Sequence, residues 1–103
     1  GMGSISLVHS DNWGIDKEIA KQGLAIVFRE GGENLRPIDS AYNRKLKKLL
    51  QEKKIFPWMR NKIPILIYDN EIVCVADFWL AEKFSKLNGC SFKWHQKPKL
   101  VLS

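Results

Sequence analysis

The chain has 103 residues, of which 45% are hydrophobic and 27% are charged, and 17 basic against 11 acidic side chains give it a formal charge of +6. This length predicts one domain over residues 1–103, and the composition excludes disordered, collagen-like and low-complexity proteins. No run approaches the roughly 18 to 20 apolar residues of a membrane span, and no secretory signal pattern is visible, so we expect a cytoplasmic protein without membrane contact.

The hydrophobic periodicity predicts a mixture of short strands and helices. In the first half it predicts a strand at 5–9, a helix at 15–22 that begins near Asn12 or Asp16 and ends at Gly23, a strand at 24–28, a loop at 30–39, and a helix from Ser40 or Ala41 to Lys54. In the second half it predicts a short helix from Pro57 to Arg60 that Pro64 ends, strands at 65–68 and 72–76 joined by a turn at Asp69–Asn70, an extension of the second strand over 78–80, and a last strand at 91–95. The class is α+β, with a small mixed, mainly antiparallel sheet, one amphipathic basic helix and one or two short helices.

The two ends and the two cysteines complete this description. A glycine ahead of Met2 indicates a cloning remnant within residues 1–4, and residues 96–103 are predicted to form a partly mobile tail. Cys74 and Cys90 have no zinc-ligand spacing and are interpreted as small buried hydrophobic residues, although the sequence leaves a disulfide between them open.

The long central helix is predicted to be amphipathic. At 100° per residue, Leu46, Leu49 and Leu50 share one face. The residues of the opposite face are Arg44, Lys47, Lys48 and Gln51. Like charges at i and i+4, as in Arg44 and Lys48, cost an isolated helix about 0.2 to 0.5 kcal/mol, which weakly indicates an anionic partner for this face.

The excess positive charge is confined to the centre of the chain. Residues 29–62 contain ten basic and four acidic side chains, a difference that accounts for the whole +6. A localised basic segment is typical of a polyanion site, most often for nucleic acid. Composition alone favours the alternative, a solvated lysine-rich helix that binds nothing.

The residues that could carry catalysis do not form a recognisable set. The sequence has no phosphate-loop motif, and Gly31–Gly32 is interpreted as a turn. Ser40 beside Asp39 is explained as a helix cap, and His9 and His95 as packing or surface residues. The tryptophans at 13, 79 and 94 are assigned to the core, whereas Trp58, next to the basic helix, is a candidate to line a ligand surface.

Three blocks in the centre of the chain carry a family resemblance. Residues 28–37, 43–52 and 57–66 follow, in order, patterns close to F-R-x-G-G-E-R-x-R-P, S-R-K-L-K-K-L-x-Q-E and P-P-W-x-R-x-x-x-P-L-L. Together they resemble the C-terminal domain of bacterial tRNA(Ile)-lysidine synthase. Val27 and Asn34 stand where arginines are common in that family, and Phe56 replaces the first proline of P-P-W.

The resemblance implies a non-catalytic, tRNA-binding domain of an ATP-dependent ligase that attaches lysine to the wobble cytidine of an isoleucine tRNA. The domain would grip the acceptor stem while the catalytic domain of the parent chain works at the anticodon. The family's S-G-G-x-D-S loop is absent from this sequence, so ATP and Mg²⁺ are expected in the parent only, with no cofactor, metal or catalytic residue here. The implied tRNA-binding residues are Arg29, Arg36, Arg44, Lys45, Lys47, Lys48, Trp58 and Arg60.

An alternative of a different class stays open. The domain could be a structural module in which Phe56, Trp58 and Met59 dock on the catalytic domain or on a second copy, and the lysines only keep it soluble. On the first interpretation, about four phosphates are neutralised, and the logarithm of affinity should fall with that of salt with a slope near −3 to −4.

Overall fold

The computed structural model describes residues 3–100 and contains short strands connected by four short helices. Residues 1 and 2, which belong to the predicted cloning remnant, and residues 101–103, the end of the predicted tail, lie outside this description. The strands are β1 Ser4–His9, β2 Trp13–Ile15, β3 Ala25–Val27, β4 Asn34–Leu35, β5 Arg44–Lys45, β6 Ile65–Tyr68, β7 Glu71–Val75, β8 Trp79–Leu80, β9 Ser85–Leu87 and β10 Cys90–His95. The helices are α1 Lys17–Lys21, α2 Leu46–Glu52 and two 3-10 helices, Pro57–Lys62 and Glu82–Phe84.

The strands form two four-stranded sheets and a small two-stranded ribbon. The first sheet has the order β1-β10-β2-β9, the second has the order β3-β6-β7-β8, and β4 pairs with β5. The strand pairs of the described residues are antiparallel, which confirms the predicted α+β class. The predicted edge strand at 5–9 is also confirmed, because β1 lies at the edge of the first sheet.

The tight turn between β6 and β7 is confirmed as predicted. Asp69 and Asn70 have φ of 53° and 63°, so both central residues are left-handed, as a type I′ hairpin turn requires. The flanking residues Tyr68 and Glu71 face each other across the ladder. This turn returns the apolar strand β7 alongside β6 in the centre of the second sheet.

The core takes its buried side chains from α2 and from both four-stranded sheets. Leu46 and Leu50 are each 1% exposed and Leu49 is buried with them, so the leucine face predicted for this helix is confirmed. Cys74 on β7 is also buried, and burial raises the pKa of its thiol to about 12. Cys90 is half-buried, and both cysteines are free thiols, so the disulfide left open by the sequence is absent.

The predicted helix from residue 40 or 41 to 54 is wrong at both ends, because α2 runs only from Leu46 to Glu52. Residues 40–43 are irregular, with a bend at 41–42, and Arg44 and Lys45 are extended because they pair with Leu35 and Asn34. The Leu46 amide then donates to the Glu33 carbonyl at 3.0 Å, so α2 begins only at this residue. The same pairing makes part of the predicted 30–39 loop a strand.

Two further differences concern strands. Residues 79 and 80 do not extend β7, because the chain reverses at Ala76, with φ of 47°, and pairs back on β7 as β8. Strand β2 was not predicted because its central residue is Gly14, which normally weakens a strand. A Cβ at this position would lie 2.6 Å from the Cys90 carbonyl oxygen, so the close contact of β2 with β10 requires glycine.

The first helix and the end of the described chain are fixed by single contacts. Asp16, one of the two predicted caps, accepts a hydrogen bond from the Glu18 amide at 3.0 Å, which starts α1. Leu100 is 4% exposed and its carbonyl accepts from the Phe56 amide at 2.8 Å. These contacts attach Leu100 to the segment that carries Phe56.

Candidate nucleic-acid interface

Three lysines at the start of α2 form a group of available cations, which we call the α2 lysines: Lys45, Lys47 and Lys48. Lys45 precedes the first helical residue, and the other two lie on the helical face opposite the buried leucines. All three are exposed, and within residues 3–100 none of their ammonium groups makes an ion pair or a hydrogen bond. Their positive charge is therefore available to a ligand.

Arg44 does not join this group, contrary to the prediction that placed it on the helix. It lies on β5, and its guanidinium forms an ion pair with Glu52 from the last turn of α2. Only 28% of its side chain is exposed. The predicted basic face therefore keeps Lys47 and Lys48 of its three cations, and the unfavourable i, i+4 pair of Arg44 with Lys48 does not exist.

The glycine loop, residues 29–36, uses its polar groups internally. The Glu33 carboxylate accepts hydrogen bonds from the Glu30 amide at 2.7 Å and the Gly31 amide at 3.0 Å. Burial raises the pKa of this carboxyl, but those amides and the charge of Arg29 outweigh burial and lower the pKa overall. Amides that could approach a phosphate therefore already hold a carboxylate of the domain.

The remaining candidate arginines also contact the domain itself. Arg29 donates to the Asn61 side-chain oxygen at 3.2 Å, which joins the glycine loop to the first 3-10 helix. Arg36 donates to the Ser40 carbonyl at 3.0 Å and forms an ion pair with Glu82 at 3.7 Å, and Arg60 donates to the Ile55 carbonyl at 3.1 Å. These contacts hold the arginines on the domain, and Arg29 and Arg60 keep donors that these bonds do not use.

Trp58, the candidate to line a ligand surface, is exposed. Its side chain belongs to the first 3-10 helix, is 68% exposed and stacks on Phe56, with ring centroids 4.7 Å apart and planes 10° from parallel. Met59 beside it is 9% exposed and anchors the helix to the core. The apolar cluster of Phe56, Trp58 and Met59 is thus divided, because only Trp58 faces solvent freely.

Lys54 and Lys62, which flank Trp58 in the chain, were not among the predicted site residues. Both are exposed, and neither has an ion pair within the part of the chain that the structure describes. Lys53 differs, because its ammonium lies 4.9 Å from the centroid of the Phe78 ring. The missed signal was the absence of any acidic residue between Glu52 and Asp69.

Within residues 3–100, no group of three or more His, Cys, Asp or Glu side chains is placed to hold a metal ion. His9 contacts Asp11 at 3.1 Å, and His95 contacts the Ser6 hydroxyl at 2.8 Å. Among the same residues, no helix has the length and apolar content that crossing a bilayer requires.

Comparison with known proteins gives a consistent result. Residues 24–94 match the family described as the TilS substrate C-terminal domain. The chain is similar to the tRNA(Ile)-lysidine synthase of Vibrio parahaemolyticus, with 39% identity over 75 residues that cover 73% of this chain and 17% of that protein. It is 33% identical to the synthase of Nitrosomonas europaea, over 90% of this chain and 21% of that protein. It is also 33% identical to the synthase of Vibrio cholerae, over 98% of this chain and 23% of that protein. The chain spans about a fifth of the length of these curated relatives.

Proposed function

Since this chain belongs to the family of tRNA(Ile)-lysidine synthase C-terminal domains, we propose that it is a non-catalytic domain that binds tRNA through the α2 lysines. Its ligand would be the acceptor stem of an isoleucine tRNA. The catalytic domain of a longer parent chain would modify the wobble cytidine. ATP and Mg²⁺ would act in that other domain, because this sequence lacks the S-G-G-x-D-S loop.

The observation that carries this proposal is the pairing state of the cations. The α2 lysines are exposed without partners in the described chain, on a helix whose other face is buried. An A-form stem displays phosphates and a shallow minor groove, so a protein grips it with spaced positive charges more than with base-reading groups. Three neutralised phosphates give a slope of log affinity against log salt near −2 to −3, lower than the sequence alone suggested.

The candidate arginines would have a secondary part in this function. Arg29, Arg36 and Arg60 each spend a donor on the domain, and Arg44 is neutralised by Glu52. We assign them to shaping the surface, with their remaining donors available at its margin.

The test is a titration of the 103-residue chain with folded isoleucine tRNA at about 50 mM and about 200 mM salt. The variant Lys47→Glu/Lys48→Glu removes two contacts and should lose roughly 100-fold in affinity at the lower salt, at about tenfold per contact. A matched control is Lys86→Glu/Lys93→Glu, which changes the net charge equally at exposed positions on β9 and β10. Circular dichroism checks the fold of both variants.

The control decides between local and general electrostatics. The proposal expects the control to retain most of the affinity, because Lys86 and Lys93 lie on strands of the first sheet and not on α2. Equal loss in both variants would show attraction by net charge alone, and absence of binding at the lower salt would refute the tRNA-binding function. The second outcome would favour the alternative role, docking on the catalytic domain or on a second copy, which the exposure of Trp58 also suits.

A further inference from the structure

The exposed ring of Trp58 is a flat aromatic surface that the described fold leaves open on one side. One face of the indole is covered by Phe56, at 4.7 Å between centroids and 10° between planes. The side chain is nevertheless 68% exposed. A large aromatic ring with one supported side and one open side has the form of a stacking platform.

The platform is held in place by contacts on both sides of Trp58. The Phe56 amide donates to the Leu100 carbonyl at 2.8 Å, and the Met59 amide donates to the Phe56 carbonyl at 2.9 Å. Arg60 ties the same 3-10 helix to the Ile55 carbonyl, and Met59 is buried beneath it. Because the helix is fixed before a ligand arrives, stacking costs little additional conformational entropy.

The segment of the chain that contains Trp58 carries a positive charge that favours an anionic ligand. Residues 53–68 contain four basic side chains and no acidic one. Lys54 and Lys62 are exposed and lack ion-pair partners within residues 3–100. Trp13 is a useful contrast, because it is 59% exposed but lies in the chain between Asp11 and Asp16. An exposed aromatic ring and unopposed positive charge therefore occur together in the segment 53–68.

We propose that Trp58 stacks on an unpaired nucleobase at the end of the bound RNA stem, with Lys54 and Lys62 contacting the phosphates that flank this base. This inference rests on the proposed tRNA-binding function and adds a second kind of contact to it. Bases inside a duplex have both faces covered by their neighbours, so only an unpaired base or the terminal pair offers a face to an indole. The single-stranded 3′ segment beyond an acceptor stem supplies such bases.

A stacking contact has a signature that differs from a phosphate contact. Replacing a stacking aromatic residue by alanine costs roughly 5- to 150-fold in affinity per base. Because the indole is uncharged, Trp58→Ala should lower affinity at every salt concentration and leave the salt slope unchanged. Trp58→Phe keeps an aromatic face and should retain most of the affinity.

The experiment compares three RNA probes: a blunt hairpin with the acceptor-stem sequence, the same hairpin with an unpaired 3′ overhang, and the overhang sequence alone. Each is titrated into the 103-residue chain and into Trp58→Ala, Trp58→Phe and the control Trp13→Ala, all checked by circular dichroism. We expect the overhang to strengthen wild-type binding, and Trp58→Ala to abolish that gain without affecting the blunt hairpin. Trp58→Phe and Trp13→Ala should behave like the wild type.

The probes separate this inference from the proposed function. Binding of both hairpins with no gain from the overhang, or equal loss for both hairpins in Trp58→Ala, would overturn stacking on an unpaired base and leave stem binding intact. Loss of blunt-hairpin binding, with Trp58-dependent binding of the single strand, would overturn stem binding and support stacking. If Trp58→Ala changes no RNA affinity but dissociates a dimer in sedimentation, the ring is a protein contact and the inference is wrong.

Discussion

Arg29 and Arg36, in the glycine loop, each donate hydrogen bonds to oxygens of the domain, whereas the α2 lysines donate to none within residues 3–100. Sequence charge alone does not separate these two regions. A guanidinium is planar and rigid and can donate several hydrogen bonds to oxygens at fixed positions. An ammonium is strongly hydrated and sits at the end of a flexible side chain. The comparison indicates that arginine shapes this surface and lysine presents charge on it.

The same contrast extends to the backbone of the two regions. In the glycine loop, Glu33 occupies the amides of Glu30 and Gly31, so the loop is electrostatically satisfied. Helix α2 is attached to the core by its leucines and leaves its polar face to solvent. The glycine loop, whose polar groups bond within the domain, supports binding through its shape. Helix α2, whose buried leucines hold it on the core, supports binding through the charge of its exposed face.

The largest expected effect tests the anchoring of α2. Leu50→Ala removes a side chain that is 1% exposed and leaves a cavity behind the lysines, so the free energy of unfolding should fall by about 2 to 5 kcal/mol. Urea denaturation measures this change. Lys48→Ala on the opposite face is the control and should stay within about 0.5 kcal/mol of the wild type. Similar losses in both variants would mean that the lysine face is not free.

The next effect separates the two regions directly by the salt dependence of tRNA binding. Lys47→Ala removes a phosphate contact and should reduce the steepness of the salt slope by roughly 0.7 to 0.9, with about tenfold weaker binding at 50 mM salt. Arg36→Ala in the glycine loop is the counterpart and should leave the slope unchanged, because its guanidinium is already paired with the Glu82 carboxylate and bonded to the Ser40 carbonyl. Equal changes in slope would contradict the division between arginine and lysine.

Local patterns made several parts of the fold predictable. The turn at Asp69–Asn70 and the leucine face of α2 depend on residue types at short spacing, and both are confirmed. The start of α2 was not predictable, because Arg44 has a good helix propensity but is drawn into pairing with Leu35, nine positions earlier. Long-range pairing of this kind overrides local preference and leaves no local signal.

For the candidate site too, local sequence predicts some features, and others depend on tertiary contacts. Exposure of Lys47 and Lys48 follows from helical periodicity, so the sequence was sufficient to predict it. The partners of Arg44 and Arg29 were not predictable, since Glu52 approaches only when β5 lies beside α2, and Asn61 only when the glycine loop lies beside the 3-10 helix. A count of charges identifies a basic segment, and only the fold shows which of its side chains already form ion pairs or hydrogen bonds within the domain.

A smaller effect concerns the ion pair of Arg44 with Glu52. Its two side chains are 28% and 61% exposed, so solvent screens the interaction. A double-mutant cycle with Arg44→Ala, Glu52→Ala and the combined variant should give a coupling of about 0.2 to 1 kcal/mol in the free energy of unfolding. Glu52→Ala alone should also strengthen tRNA binding slightly, because it frees a cation next to the α2 lysines. No coupling in the cycle would return Arg44 to the group of available charges.

The smallest effect is a pH dependence confined to the glycine loop. The folded-state pKa of Glu33 lies below its ordinary value, because the loop amides and Arg29 outweigh burial. Its carboxylate therefore stabilises the fold above the unfolded-state pKa, and this contribution is lost as the pH falls through the folded-state pKa. Glu33→Gln should thus be less stable than the wild type at pH 7, and the difference in the free energy of unfolding should shrink below about pH 4.5.

Glu30→Gln is the control, because the Glu30 side chain has no described partner. In urea titrations at pH 7 and below about pH 4.5, its difference from the wild type should not shrink in this way. A difference for Glu33→Gln that is equal at both pH values would mean that its amide replaces the carboxylate fully, and that charge has no part in closing this loop.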